Sequence, residues 1–218
     1  MNQAEKYCRT IKRLCNTGGG LLPAEYQQVE YLEATGTQYI NTGRKVQSNN
    51  ITAHISTQKT STASLEMDIL TNQDDSTNRF VFGSYSGNWF LYNRAYGVGY
   101  TNAVISADMS IAELTIEFVN EQKRIVKNGI ASQWYTAAAI QNQRALTILR
   151  GAGTSGDYIG RNYKGKLFYL DYYEAQTLIF KMYPCCRKSD NKPGLYDLVT
   201  NTFYTNAGTG EFTVGNNI

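Results

Sequence analysis

The chain has 218 residues, which is enough for one all-β domain with a sizeable core and short for two full domains. Seventeen Tyr, eight Phe and two Trp against three Pro favour strands, and no segment is apolar enough for a membrane-spanning helix. The net charge of +3 comes from residues 1–20, and the remainder, with 17 basic and 17 acidic residues, lacks the basic excess of a nucleic-acid-binding surface.

The first segment, residues 2–15, has a helical pattern. Its apolar residues recur at steps of three and four, with the charges on the opposite face: Ala4, Tyr7, Cys8, Ile11, Leu14 and Cys15. The three glycines at 18–20 then predict a flexible joint. A helix this short is marginal alone in water, so its apolar stripe needs a partner. We predict that Tyr7, Ile11 and Leu14 dock into another protein or self-associate, with packing against the chain's own domain as the alternative.

Residues 22–43 open the predicted all-β domain. Apolar residues lie on either side of a turn at 35–37, with Val29 and Tyr31 before it and Tyr39 and Ile40 after it. Glycine tolerates the positive φ of tight turns, so Gly36 suits such a reversal. The pattern therefore predicts a hairpin of two paired strands.

Further strands follow at intervals of eight to twelve residues without intervening helices, which indicates a sandwich or a barrel. They are predicted at 50–58, at 79–94 as two strands around 86–88, at 113–129 with a turn near 120–122, at 144–151, and at 164–184 with a turn near 174–176. In the first of these, Ile51, Ala53 and Ile55 alternate with polar residues, which predicts His54 on the polar face of a sheet.

Four cysteines are too few for a disulfide framework at this length. Cys8 and Cys15 are seven residues apart and Cys185 and Cys186 are adjacent, so neither pair has the spacing of a zinc site. With His54 as the single histidine, we predict reduced thiols, no metal and no cofactor. The N-terminus has no continuous apolar region of the kind found in secretory signal peptides, which predicts a protein made in the cytoplasm.

Both ends of residues 22–215 resemble one family. The motifs are EYLEATGTQYINTG at 30–43, VKNG at 126–129, GKLFY at 165–169, GLYDL at 194–198 and FYTNAGTG at 203–210. They resemble the LamG-like, concanavalin A-like modules common in phages and prophages of gut bacteria. The resemblance implies an all-β jelly roll of two antiparallel sheets over 21–218, preceded by the short N-terminal helix, with first and last strands close together. It also implies a place on phage fibres, tails or capsids, with sugar-binding potential.

Concanavalin A-like folds also include glycoside hydrolases, so the carboxylates matter. Glu66 and Asp68 resemble the start of the E-x-D-x-x-E motif of retaining endoglucanases, but Leu70 and Thr71 stand where the second Glu should fall. A retaining enzyme without its acid loses a factor of about 10²–10⁴, so we predict a protein that is not an enzyme. Some relatives bind calcium, for which the carboxylates at 74–75 are the candidate by analogy, and a solvated turn is the simpler interpretation.

Aromatic side chains are the remaining candidates for a ligand site, because sugars stack their apolar faces on rings while neighbouring polar groups bind the hydroxyls. The predicted carbohydrate-binding residues are Tyr85, Trp89, Tyr92, Asn93, Arg94, Tyr96 and, in a separate loop, Trp134. In a strand, Trp89 and Leu91 face opposite to Phe90 and Tyr92, so about half of these residues should belong to the core.

The sequence thus predicts a non-enzymatic protein on the surface of a phage particle. Residues 1–20 would attach it to other virion proteins or to further copies of itself, and residues 21–218 would bind bacterial or mucosal glycans. Binding to nucleic acid and insertion into membranes are not expected. The alternatives are a purely structural decoration protein that binds no glycan and, less favoured, a divergent glycoside hydrolase.

Overall fold

A computed structural model describes residues 21–46, 48–62, 67–73, 79–94, 102–140, 144–150 and 161–218. These ranges form eighteen strands. In chain order the strands are β1 (Tyr26–Gln28), β2 (Leu32–Thr35), β3 (Ile40–Lys45), β4 (Ile51–Lys59), β5 (Met67–Gln73), β6 (Arg79–Tyr85), β7 (Asn88–Arg94), β8 (Ala103–Ser106), β9 (Ile111–Val119), β10 (Gln122–Lys127), β11 (Ile130–Ala131), β12 (Tyr135–Thr136), β13 (Ala145–Ile148), β14 (Lys164–Glu174), β15 (Thr177–Arg187), β16 (Lys192–Asp197), β17 (Thr202–Thr205) and β18 (Thr213–Val214). Within the same ranges, no helix is long and apolar enough to cross a membrane.

The strands form two antiparallel sheets. The larger sheet has twelve strands, with the order β11–β10–β9–β4–β14–β15–β16–β17, β1 beside β15, β12 beside β10, and β2 between β14 and β18. The smaller sheet has six strands in the order β3–β13–β5–β6–β7–β8. This arrangement confirms the predicted all-β fold of two antiparallel sheets.

The core lies between the sheets and follows from the alternation of side chains along each strand. Ile51, Ala53 and Ile55 of β4 are fully buried, as their spacing predicts. Phe80 of β6 packs edge to face on Phe118 of β9, with ring centroids 6.3 Å apart, and so joins the two sheets. Each fully buried large apolar side chain stabilises the fold by about 1.5–3 kcal/mol.

The two ends of the domain meet in the larger sheet. β18 pairs with β2, where Thr213 lies opposite Glu33, and a further bridge joins Val29 to Asn217. The last strand therefore lies beside β2, near the start of the domain, as the family resemblance implies.

The predicted hairpin around residues 35–37 is wrong. β2 pairs with β14 in the larger sheet, whereas β3 pairs with β13 in the smaller sheet. Gly36 does have a positive φ of 110°, but its turn carries the chain from one sheet to the other. The Gln38 side chain holds this crossover, because it accepts a hydrogen bond from the Thr35 amide at 2.9 Å and donates one to the Glu211 carbonyl at 3.0 Å.

Four other turns are two-residue hairpins in which both central residues have positive φ, the geometry of type I′ turns. They are Ser86 and Gly87, Asn120 and Glu121, Asn128 and Gly129, and Ala175 and Gln176. The turns predicted near 86–88, 120–122 and 174–176 are thereby confirmed. His54 lies half-buried on the outer face of the larger sheet, again as predicted.

Several predictions concern residues outside the described ranges. The N-terminal helix with Tyr7, Ile11 and Leu14 lies there, as do the carboxylates at 74–75. In the described part of the chain, Cys185 and Cys186 are free thiols. Burial raises the pKa of Cys185 to about 12, so this thiol stays protonated and unreactive at neutral pH. No cluster of three or more His, Cys, Asp or Glu that could hold a metal occurs in these same ranges.

Candidate functional site

A groove of about 230 Å³ lies on the outer face of the smaller sheet. It crosses β6, β7 and β8 and combines aromatic, amide and guanidinium groups. Its lining residues are Arg79, Tyr85, Asn88, Phe90, Tyr92, Asn102 and Val104.

The register of the strands explains why these side chains come together. Tyr85 lies opposite Asn88, and Val81 lies opposite Tyr92, across the β6–β7 hairpin. Phe90 lies opposite Val104 of β8. Directly opposed residues point to the same face of a sheet, so the tight turn at Ser86 and Gly87 fixes which residues reach the groove.

The floor of the groove is apolar and well packed. A small apolar cluster, separate from the main core, consists of Val81, Phe90 and Tyr92. Each of these side chains is buried. Phe90 faces Gly83, where a Cβ atom would lie only 2.3 Å from the Met67 carbonyl oxygen of β5. Glycine is therefore required at this position, and the floor beside the Phe90 ring carries no second side chain.

The rim is more exposed and more polar. Tyr85 is 56% exposed and Val104 is 42% exposed. The Arg79 guanidinium lies 4.4 Å above the centre of the Tyr92 ring, and its Nη2 donates a hydrogen bond to the Tyr92 hydroxyl at 3.0 Å. The amide of Asn88 is fixed by donation to the Ser86 carbonyl at 3.3 Å. An exposed ring beside fixed amide and guanidinium donors is an arrangement that can stack a sugar and bind its hydroxyls.

Two predicted sugar-binding residues lie on the wrong face of β7. Trp89 is fully buried in the core and stacks on Phe82, with ring centroids 6.2 Å apart. Asn93 is only 2% exposed. Neither side chain can contact a ligand in the groove, because alternation turns both towards the larger sheet.

Asn93 instead connects the two sheets. Its side chain donates a hydrogen bond to the Ala138 carbonyl and accepts one from Lys123 Nζ at 2.8 Å. Lys123 is fully buried, and burial lowers the pKa of its ammonium group to about 8.

The other predicted carbohydrate-binding residues lie in three different places. Tyr85 and Tyr92 belong to the groove. Trp134 is 41% exposed but lies at the edge of the larger sheet, where the Arg124 guanidinium sits 4.3 Å above its ring. The Arg94 side chain and Tyr96 lie outside the described part of the structure, although the backbone of Arg94 pairs with Arg79.

Sequence reasoning misses five lining residues: Arg79, Asn88, Phe90, Asn102 and Val104. Period-two alternation around a known turn could have found Asn88 and Arg79, because they share a face with Tyr92 and Tyr85. Asn102 and Val104 depend on the pairing of β7 with β8, for which the local sequence carries no signal.

No protein-family model and no curated protein matches the chain. Solved structures do match. One is the sialidase CBM40 of Ruminococcus gnavus bound to α2,3-sialyllactose, with a TM-score of 0.53, 12% identity, and coverage of 70% of this chain and 92% of that chain. Another is the LG4–5 pair of mouse laminin α1, with a TM-score of 0.51, 11% identity, and coverage of 72% and 43%.

A third similar structure is the heptameric SAP-like pentraxin of Limulus polyphemus, with a TM-score of 0.56, 8% identity, and coverage of 89% of this chain and 96% of that chain. All three neighbours are concanavalin A-like jelly rolls. At these identities the likeness concerns the fold alone. The chain therefore has the concanavalin A-like jelly-roll fold that the family resemblance implies.

Proposed function

We propose that this protein is a non-enzymatic glycan-binding module whose ligand lies in the groove across β6, β7 and β8. The observation that carries the proposal is the exposed Tyr85 ring beside the fixed groups of Arg79 and Asn88. A pyranose would stack its apolar face on Tyr85, and its hydroxyls would accept hydrogen bonds from the guanidinium and amide groups.

The fold neighbours support this ligand class. One of them is a carbohydrate-binding module bound to a sialylated sugar, and it shares the jelly-roll fold over most of its own length. The groove also has the general composition of small-ligand sites, which combine aromatic walls with a few polar groups.

The proposed setting is the surface of a phage particle, reached from the bacterial cytoplasm where the protein is made. The family resemblance at both ends of residues 22–215 supports this setting. In the proposal, Tyr7, Ile11 and Leu14 attach the module to other virion proteins or to further copies of the chain. Single sugar sites are weak, and copies clustered on one particle would raise avidity without new contacts.

A glycan microarray probed with multimerised protein tests the function. We expect binding to at least one bacterial or mucin-type glycan, and at least a tenfold lower signal for Tyr85→Ala, equivalent to about 1.4 kcal/mol. Ile130→Ala is the matched control, because Ile130 is 72% exposed and lies on β11, away from the groove. Silence of the unmodified protein across the array would contradict the proposal and favour a purely structural decoration protein.

A further inference from the structure

Side chains cross the groove in three rows, from β6 through β7 to β8. The rows follow from the strand register, because directly opposed residues point to the same face of a sheet. On β7, Asn88, Phe90 and Tyr92 each occupy one row, two residues apart along the strand. Successive rows are therefore about 6.7 Å apart.

The middle row is apolar from end to end. Phe90 stands at its centre, with Gly83 opposite on β6 and Val104 opposite on β8. We call these three residues the apolar row. Gly83 has no side chain, so the Phe90 ring and the Val104 isopropyl group form the surface that this row presents to the groove. Val104 is 42% exposed and forms a wall, whereas Phe90 is 6% exposed and forms the floor.

The outer rows carry the polar groups of the groove. Towards the turn, Asn88 lies opposite Tyr85 on β6 and opposite Ser106 on β8. At the other end, Tyr92 and Asn102 line the groove. The groove is therefore polar at both ends and apolar between them.

Hydrogen bonds direct two of these polar groups away from the apolar row. Asn88 Nδ2 donates to the Ser86 carbonyl in the turn, and the Tyr92 hydroxyl accepts from Arg79 at the far end of β6. The row spacing of about 6.7 Å is more than twice the length of a hydrogen bond. A ligand hydroxyl held over the centre of the apolar row would lose its water without gaining a side-chain partner among the described residues, which weakens binding.

Val104 differs from an ordinary exposed apolar residue. Single apolar side chains are common on protein surfaces. Val104, however, lies directly beside the buried cluster of Val81, Phe90 and Tyr92 and extends it to the wall of the groove. A floor and a wall that are both apolar, bordered by amides, suit a ligand that is polar at its edges and apolar at one substituent.

We propose that the apolar row receives a methyl group of the bound glycan, so that the groove selects methyl-bearing sugars over their hydroxylated counterparts. A methyl group there removes apolar surface of Phe90 and Val104 from water. A hydroxymethyl group in the same place brings a hydroxyl for which the apolar row has no partner. On a sugar ring, such a methyl group belongs either to carbon 6 of a 6-deoxyhexose or to the acetamido group of an N-acetylhexosamine.

This inference deepens the proposed function and rests on it. Tyr85 stacks the sugar ring, and Val104 selects the substituent that the ring carries. The two roles have different signatures, because specificity is a difference between two affinities. Loss of the Tyr85 ring weakens all ligands of the groove, whereas a change at Val104 alters the ratio between two matched sugars.

Protein conjugates that carry one sugar type at equal density test the inference, with biolayer interferometry of the multimerised protein as the measurement. The matched pairs are α-L-fucoside with α-L-galactoside, α-L-rhamnoside with α-L-mannoside, and N-acetyl-β-D-glucosaminide with β-D-glucoside. The first two pairs differ only by methyl against hydroxymethyl, and the third by acetamido against hydroxyl.

Two variants change the wall of the groove. Val104→Thr replaces one of its methyl groups by a hydroxyl of similar shape, and Val104→Ala shortens the wall without adding a polar group. Val199→Thr is the matched control, because Val199 is 41% exposed and lines a different cavity, beside Thr200. Thermal unfolding verifies that each variant is folded.

We expect the unmodified protein to bind the methyl-bearing member of at least one pair at least about fourfold more tightly, the factor that burial of one methyl group provides. Both Val104 variants should bring this ratio close to one by weakening the methyl-bearing sugar, and Val199→Thr should leave it unchanged. A preference in the fucoside or rhamnoside pair would identify a 6-deoxyhexose as the source of the methyl group. A preference in the glucosaminide pair alone would identify an N-acetylhexosamine.

An equal or reversed preference in all three pairs would refute the inference, as would an unchanged ratio in both Val104 variants. Absence of binding to all six conjugates would refute it as well. In each of these cases the proposed function still stands if the glycan microarray shows binding that depends on Tyr85. Silence of the microarray would contradict both.

Discussion

Tyr85 and Trp89 are four residues apart on the β6–β7 hairpin, yet they have opposite environments. Tyr85 is 56% exposed in the groove, whereas Trp89 is fully buried between the sheets. Both are large aromatic residues in a segment rich in such residues, so composition alone assigns them the same role. They differ only in their position relative to the turn. Tyr85 is the last residue of β6 and Trp89 is the second residue of β7, so alternation along the strands points their side chains to opposite faces of the sheet.

Substitution by alanine should therefore have different effects at the two positions. Trp89→Ala should lower the free energy of unfolding by about 3–5 kcal/mol, because it leaves a large cavity in a packed core. Tyr85→Ala should change it by no more than about 0.5 kcal/mol, as expected for an exposed residue. Urea denaturation measures both values, and a small effect at Trp89 would show that its ring is not part of the core.

Lys123 gives a prediction for the pH dependence of stability. Its pKa is about 8 in the folded protein and returns to its ordinary value of 10.5 on unfolding. Between these values the unfolded chain binds more protons, so the free energy of unfolding increases as pH rises. For this one group, the increase between pH 7.5 and 9.5 should be about 2 kcal/mol.

The comparison with Lys123→Met isolates this effect from the titration of tyrosines and cysteines. The variant cannot titrate at this position, so the stability of the native protein should rise relative to the variant over the same pH interval. Denaturation at several pH values measures the difference. Parallel pH profiles for the two proteins would mean that Lys123 keeps its ordinary pKa and is not buried as described.

At the scale of elements, the hairpin turns are the features that local sequence predicts best. Asn128 and Gly129 form a type I′ turn with the residues that this turn prefers. Ala175 and Gln176 adopt the same geometry without a glycine, with φ of 45° and 68°. Residues other than Gly and Asn are strained at positive φ, so the conformation of the β14–β15 turn costs the fold some stability.

Gln176→Gly should consequently stabilise the protein. Relief of the positive φ outweighs the added flexibility of the unfolded chain, and we expect an increase of about 0.5–1 kcal/mol in the free energy of unfolding. The matched control is Gly87→Ala, which should destabilise by strain alone, because φ there is 77° and an added methyl group would meet no atom within 4 Å. Destabilisation by Gln176→Gly would contradict this prediction. It would show that the Gln176 side chain stabilises the folded protein by more than the strain of its positive φ destabilises it.

Pairing between distant elements is less accessible to sequence reasoning. The sequence correctly predicts a turn at Gly36, but a turn that joins two sheets and a turn that joins two paired strands place the same demands on a glycine. β2 pairs with β14 and β18, and β3 pairs with β13, all of which lie a hundred or more residues further along the chain. Local patterns specify strands and turns, whereas the sheet to which each strand belongs depends on such distant contacts.

At the scale of the whole molecule, the sandwich presents two chemically different outer faces. The groove on the smaller sheet carries the Arg79 guanidinium beside aromatic rings, and the outer face of the larger sheet carries the carboxylates of Glu113 and Asp171. The strand pattern predicts a sandwich or a barrel and the polar side of β4, and the family resemblance implies the two sheets. The groove can be predicted only in part, because Val104 comes from a third strand, β8, and Asn102 from the residue just before that strand.

Amide hydrogen exchange with and without the strongest glycan from the array tests the central claim, that a glycan occupies the groove. We expect the bound glycan to slow exchange in β6, β7 and β8, and the effect to disappear in Tyr85→Ala while Ile130→Ala retains it. The bound ligand covers the outer side of these strands and reduces their local opening. A glycan that binds without slowing exchange in these three strands would contradict the account.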